Sequence, residues 1–247
     1  MKRILTVTSL LTLVLLAAGG CQLDEEQAYA LPPSHVAPAV GKTAPEFKAV
    51  DTYGKAHALS QYRGKWVVLE WLNHGCPYVR KHYDNNLMQA LQKKYAAQGV
   101  VWLSVVSSAP GKQGHHSNDE ANARTKEKGA APHAVLVDAS GTVGRLYDAG
   151  TTPHMFVIDP QGAIVYRGGI DDKRSRLMTL SKGARPHVDI ALQEAMARKP
   201  VSVPASQPYG CSLSTSFAVE TRASSGVEYS DGCGVALEAR HVGCRSF

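Results

Sequence analysis

The residues best suited to chemistry lie in one short stretch, Asn73-His74-Gly75-Cys76-Pro77. A cysteine just ahead of a helix presents its sulfur to unpaired backbone N–H groups and to the positive end of the helix dipole. Both favour thiolate over thiol, so the pKa is expected to fall and Cys76 to act as a nucleophile. Arg80 and Lys81 follow one turn on and add positive charge. Six residues before the cysteine, Glu70 is the one charged residue in Trp66-Val67-Val68-Leu69-Glu70-Trp71. A carboxyl in a buried strand has a raised pKa, because desolvation disfavours its charged form. That suits proton transfer near neutral pH. Further on, Thr151-Thr152-Pro153-His154 precedes an apolar run. Proline directly before a buried strand marks a special turn, and a cis peptide is expected there.

Such residues need elements to hold them. Residues 66–71 form an almost unbroken apolar run, the pattern of a strand buried on both faces in the middle of an α/β sheet. Residues 77–98 read as one helix that starts at a proline, with Leu87, Ala90, Leu91 and Tyr95 on its apolar face and Gly99 ending it. Residues 47–59 read as a hairpin turning at Gly54. Strands are expected over 100–106, 134–138, 155–159 and 163–166. Helices are expected over 118–128, 142–147 and 187–198. This alternation predicts an α/β sandwich with helices on both faces of the sheet.

The chain has 247 residues, 44% of them hydrophobic, enough for one well-buried domain with extensions. Net charge is +6, and +4 once Lys2 and Arg3 are set aside. The basic residues are scattered rather than clustered, which argues against a nucleic-acid surface and hence against a nucleic-acid partner. Residues 1–20 run from Met1-Lys2-Arg3 through an apolar stretch to Ala17-Ala18-Gly19-Gly20, the layout of an export signal. The apolar stretch is short against the ~20 residues that a membrane span needs.

Cys21 follows directly and resembles the lipidated cysteine of a bacterial lipoprotein, although Ala18 stands where such signals usually carry Leu. Cleavage after Ala28-Tyr29-Ala30 is the alternative. The expectation is an exported, periplasmic lipoprotein tethered to the membrane through Cys21, in a compartment where disulfides persist. Residues 21–39 read as a tether, 40–207 as the domain, and 208–247 as a Ser- and Gly-rich tail that carries Cys211, Cys233 and Cys244. With Cys21 lipidated, four cysteines remain and allow three full pairings.

Taken together, the chain resembles the thioredoxin-like superfamily, in its redoxin branch with the peroxiredoxins (alkyl hydroperoxide reductase and thiol-specific antioxidant proteins). The segments that carry the resemblance are Ala44-Pro45-Glu46-Phe47, residues 59–71, residues 73–83, residues 135–172 and Tyr209-Gly210-Cys211-Ser212. The resemblance implies a thioredoxin-like three-layer sandwich, here with an N-terminal hairpin extension. It implies Cys76 as nucleophile, Glu70 as the buried acid and Pro153 as the cis-proline beside the sulfur, with Thr152 before it.

Two positions depart from the pattern. Thioredoxins place a second cysteine three residues after the first, where this chain has Val79. Peroxiredoxins place Thr or Ser three residues before the cysteine, where this chain has Asn73, which can donate a hydrogen bond to a peroxide oxygen. Cys211 is the candidate resolving thiol, or it joins a structural bridge with Cys233 or Cys244.

The function expected is a thiol-dependent oxidoreductase, an antioxidant peroxidase or a thiol–disulfide exchanger, with a peroxide or protein disulfide as substrate, a reducing thiol partner and no cofactor or metal. The alternative is a copper or other soft-metal chaperone using Cys76 with His74, His82 or His154. A scaffold with a degenerate site is a third reading, against which stand Cys76, Glu70 and Thr152-Pro153 together.

Overall fold

The computed structural model describes residues 37–177 and 183–215. Cys21, Cys233, Cys244 and the expected export signal lie outside these residues. The chain opens with the hairpin β1 (Lys48–Asp51) and β2 (Ala56–Ala58), which turns through Gly54 at φ +83°. A 3-10 turn over Leu59–Tyr62 leads into β3 (Val67–Trp71). Then come α1 (Pro77–Asp84), α2 (Leu87–Ala96), β4 (Val101–Val106), α3 (Asn118–Glu127), β5 (Ala134–Val137) and α4 (Thr142–Leu146). The described chain ends with β6 (Thr151–Thr152), β7 (His154–Ile158), β8 (Ile164–Gly168), α5 (His187–Met196) and β9 (Cys211–Ser212).

Seven strands form the main sheet in the order β2-β1-β5-β4-β3-β7-β8, and β6 pairs with β9 in a separate ribbon. β3 lies inside the sheet, parallel to β4 and antiparallel to β7. That position buries all five of its residues and explains why its sequence is apolar rather than alternating. Side chains still alternate across the pleat. Leu69 and Trp71 enter a core with Phe156, Val143 and Tyr147, whereas Val68 enters one with Tyr83, Met88, Val188 and Leu192. So α1, α2 and α5 cover one face, and α4 with the Phe47–Tyr62 segment covers the other. The expected three-layer sandwich with its N-terminal hairpin is the fold observed.

Two expectations need correction. The helix read over 77–98 is broken at Asn85-Asn86, where Asn86 takes φ +58°. Asn is among the few residues besides Gly that enter that left-handed conformation, and its neighbour Asn85 closes the end of α1, donating from Nδ2 to Lys81 O at 2.9 Å. The break also rotates the apolar face. Leu87 is 45% exposed, and the buried row is Met88, Gln89, Gln92 and Tyr95.

The second correction concerns the tail. Residues 208–215 stay on the domain. Tyr209 is buried, β9 pairs antiparallel with β6, Leu213 N–H donates to Gly150 O at 3.1 Å and Ala109 N–H donates to Ser214 O at 2.8 Å. A Ser- and Gly-rich composition reads as a tail because it holds too little apolar material for a core of its own. A strand added to a neighbour's edge needs only backbone groups, which composition does not reveal. Among the described residues, no helix is long and apolar enough to cross a membrane.

Candidate active site

Cys76 is the N-cap of α1, in extended backbone conformation (φ −75°, ψ 124°), with Pro77 as the first helical residue. Proline fits there because its missing N–H has no partner in the first turn. Cys76 N–H donates to Asn73 O at 3.0 Å, and Cys76 O accepts from Arg80 N–H at 2.9 Å, so the loop from β3 delivers the cysteine straight into the helix. The residue is fully buried.

The sulfur meets two segments that are remote in sequence. Cys76 Sγ donates to Thr152 O at 3.1 Å, and the backbone N–H of Cys211 donates to Cys76 Sγ at 3.4 Å. The Thr152–Pro153 peptide is cis. Of the two oxygens of Thr152, the carbonyl is the one in hydrogen-bonding geometry with the sulfur; the hydroxyl is buried and unpartnered. Thr152 and Cys211 are direct partners in the β6–β9 pairing, so one short ribbon sets both groups against Sγ. The structure therefore brings together Cys76, Thr152, Pro153 and Cys211. Both cysteines are free thiols.

The two thiols are not equivalent. Burial pushes the Cys76 thiol up. The Cys211 side chain and the N–H groups of Cys211 and Val79 outweigh burial and leave it below an ordinary thiol. The Cys211 thiol is pushed up to about 12 by burial and by the neighbouring Cys76 sulfur. Of the pair, Cys76 ionises first, and Cys211 keeps its proton.

Glu70 lies on the same sheet face, beneath α1, and is completely buried. Its carboxylate accepts from Tyr83 OH at 2.8 Å, Trp102 Nε1 at 2.8 Å, Ser104 OH at 3.1 Å and Gln92 Nε2 at 3.3 Å. Burial pushes its pKa up and these donors pull it back, leaving it above the usual carboxylate range. Its hydrogen bonds run to α1, α2 and β4. The link toward Cys76 passes through Tyr83, whose ring packs edge-on against His74 at 5.5 Å.

Asn73 has its amide committed to the loop. Its Oδ1 accepts from Gly75 N–H at 2.8 Å and its Nδ2 donates to Gln113 O at 3.3 Å. Gly114, at φ +92°, packs so closely that a Cβ there would sit 2.5 Å from Asn73 Cγ.

The histidines do not converge on the sulfur. His154 stacks by Phe156 and Trp71 in the core on the far face of the sheet, with both ring nitrogens unpartnered, and burial lowers its pKa to about 3. His82 faces Asp171, and burial lowers it to about 4. Among the described residues, no group of three or more His, Cys, Asp or Glu side chains is placed to hold a metal ion.

Sequence reasoning missed a polar cluster behind Cys211. Lys81 Nζ lies 3.7 Å from Asp171 Oδ2 and 3.3 Å from Tyr209 OH, and the Tyr209 hydroxyl donates to Asp171 Oδ1. Residues 208–210 read as a turn before Cys211, but the sequence did not reveal how closely Gly210, at φ +143°, packs on Thr152 O. The only local signal was the Tyr209-Gly210 pair directly before Cys211.

Residues 40–167 match the model of the AhpC/TSA family. Among curated relatives, the chain is 30% identical over 126 residues to the thiol-disulfide oxidoreductase ResA of Geobacillus kaustophilus, a match spanning 51% of this chain and 67% of that one. It is 32% identical over 136 residues to the selenocysteine-containing peroxiredoxin PrxU of Peptoclostridium acidaminophilum, spanning 51% and 64%. Similar solved structures include a hypothetical protein of Sinorhizobium meliloti, with TM-score 0.63 and 22% identity over 74% of this chain and 97% of that one. An uncharacterized conserved protein of Geobacillus kaustophilus gives TM-score 0.63 and 24% identity over 73% and 94%. At these identities the likeness to the solved structures is one of fold. The chain belongs to the AhpC/TSA family, a family of thiol-dependent oxidoreductases, and is built on the thioredoxin-like fold.

Proposed function

We propose that this protein is an exported two-cysteine thiol peroxidase in which Cys76 attacks and Cys211 resolves. The observation that carries the reading is the contact between the two cysteines, with Cys211 N–H donating to Cys76 Sγ at 3.4 Å. The Cys76 thiolate attacks the distal oxygen of a hydroperoxide. The O–O bond breaks, the alkoxide or hydroxide leaves with a proton, and Cys76 becomes a sulfenic acid. The Cys211 thiol then attacks that sulfur, water leaves, and a Cys76–Cys211 disulfide remains. Two equivalents of an external thiol return the pair to dithiol. Cys76 is fully buried beneath the segment that carries Cys211, which favours a small oxidant over a bulky protein disulfide. Glu70 acts through the position of α1, and Asn73 through the shape of the loop. Residues 1–20 direct export, and Cys21 carries the lipid that ties the domain to the periplasmic membrane surface.

Thiol–disulfide exchange is the second reading, favoured by one observation: two free thiols in contact form a dithiol/disulfide couple whatever first oxidises them. The test is the rate of reaction with hydrogen peroxide against that with a peptide disulfide, followed by mass mapping. The peroxidase reading expects fast peroxide consumption, a bridge between 76 and 211, complete loss in Cys76→Ser and a trapped sulfenic acid in Cys211→Ser. Slow peroxide reaction with rapid exchange would move the assignment to the exchanger.

A further inference from the structure

Cys211 hangs from a two-residue strand, which by itself is weak support for a thiol that must meet one particular sulfur. Two residues earlier, Tyr209 enters a buried polar cluster built on α1. Lys81 and His82, from the second turn of that helix, face Asp171 from the segment after β8. Nζ of Lys81 lies 3.7 Å, and Nε2 of His82 3.9 Å, from Asp171 Oδ2. Tyr209 closes the cluster. Its hydroxyl donates to Asp171 Oδ1, lies 3.3 Å from Lys81 Nζ and 3.5 Å from His82 Nε2. Lys81 Nζ also donates to Lys173 O at 3.0 Å and stands 5.2 Å from the Tyr209 ring centroid. Tyr78, also on α1, packs edge-on against that ring at 5.8 Å. Lys81, Asp171, His82 and Tyr209 are all buried.

We infer that Tyr209 is a positioning residue for the resolving step, the latch that holds Cys211 against Cys76. The inference rests on the reading of Cys211 as the resolving thiol. Its physical basis is that one helix carries both ends of the reaction. Cys76 caps the N-terminus of α1, and Lys81 and His82, five and six residues on, hold the segment that delivers the second sulfur. The latch thereby sets the effective concentration of the Cys211 thiol at the Cys76 sulfenic acid. Without it the segment keeps its strand pairing and the backbone bonds of Leu213 and Ser214 but loses its anchor to α1 on the other side of Cys211, and the thiol spends more time away. The sulfenic acid then meets a second peroxide before it meets Cys211 and goes on to sulfinic acid.

The test uses the full chain carrying Tyr209→Phe, which keeps the ring and removes the hydroxyl. Reduced protein is exposed to a series of hydrogen peroxide concentrations, and peptide mapping counts the Cys76–Cys211 bridge against Cys76 sulfinic acid. In parallel, the dithiol/disulfide equilibrium is measured in a glutathione buffer. The expected result is about tenfold more sulfinic acid per bridge and an equilibrium constant for the bridge about tenfold smaller, as the loss of a hydrogen bond to a charged group predicts. Asp171→Asn is expected to act in the same direction, and the double variant to do little more than either single one. Unchanged partition and equilibrium in Tyr209→Phe, with the bridge forming in the parent, would overturn the latch and leave the resolving role standing. Full additivity of the two substitutions, or an effect that merely tracks a collapse in thermal stability, would also overturn it. No bridge in the parent would overturn both.

Discussion

Two regions meet at one sulfur, and they are held by different means. The Cys76 side is built from the centre of the fold: a fully buried strand, a loop tied by Asn73 and a helix whose first residue is proline. The Cys211 side is a short ribbon added after the last helix, pinned by its pairing with β6, the backbone bonds of Leu213 and Ser214 and a polar cluster. In the proposed cycle the first arrangement fixes the nucleophile, and the second lets a partner thiol be delivered and, in the bridge, be drawn over. The thiols differ to match: Cys76 is held below an ordinary thiol, and Cys211 is raised to about 12. In that proposed cycle attack therefore runs from Cys76, and the low-pKa sulfur is also the better leaving group when the bridge is reduced.

The sharpest way to break this division is at Gly210, where a Cβ would fall 1.9 Å from Thr152 O, the carbonyl that accepts from Cys76 Sγ. At φ +143° a side chain is strained whatever the space. Gly210→Ala is expected to push the Cys211 segment off β6 at a cost of ~3 kcal/mol, the upper range for an overpacked site, so that bridge formation slows about a hundredfold. Quenched-flow trapping of the disulfide reads this. Gly54→Ala is the control. It too has positive φ, but open space around it, and it should lose a little stability with bridge formation unaltered.

The same contrast explains what the sequence reveals. The Cys76 side is local. Residues 66–77 contain the apolar strand, the lone acid, the loop and the proline that starts the helix, each with a signal that can be read in place. Pro153 before a buried run is equally local. The Cys211 side depends on pairs such as Lys81 with Tyr209, 128 residues apart, and Thr152 with Cys211. No periodicity reports such pairs. Asn85-Asn86 escaped for a different reason. Asn enters the left-handed region less readily than Gly, so a break there looks like ordinary helix in a pattern of charges and leucines. Glu70 was legible as a buried acid, but its four donors come from three other elements.

Those donors give a smaller test, confined to the Cys76 side. In Glu70→Gln an amide NH2 replaces one carboxylate oxygen, so at least one buried N–H or O–H that donated to that oxygen loses its acceptor. The expected cost is ~1–3 kcal/mol in urea unfolding. Because Glu70 ties α1 to α2 and β4, and not to the ribbon, the partition between bridge and sulfinic acid should stay as in the parent. A shifted partition at unchanged stability would show that the two sides are coupled through the helix.

The smallest effect expected tests how much of the low Cys76 pKa belongs to each region. Two contributions come from Cys211, its thiol and its backbone N–H, and one from Val79 N–H in the first turn of α1. Cys211→Ala removes the thiol and keeps the N–H and the β6 pairing. The Cys76 pKa should therefore rise, and at any pH below the new midpoint a smaller fraction is thiolate, so alkylation at pH 6 slows. The rise should be partial, because Cys211 N–H and the helix N-terminus remain. The pH profile of iodoacetamide labelling at Cys76 measures it. A profile identical to the parent's would assign the stabilised thiolate to the helix and the retained backbone contacts. The ribbon would then serve only to bring Cys211 within reach, and the two regions would divide the work completely, one making the nucleophile and the other closing the bridge.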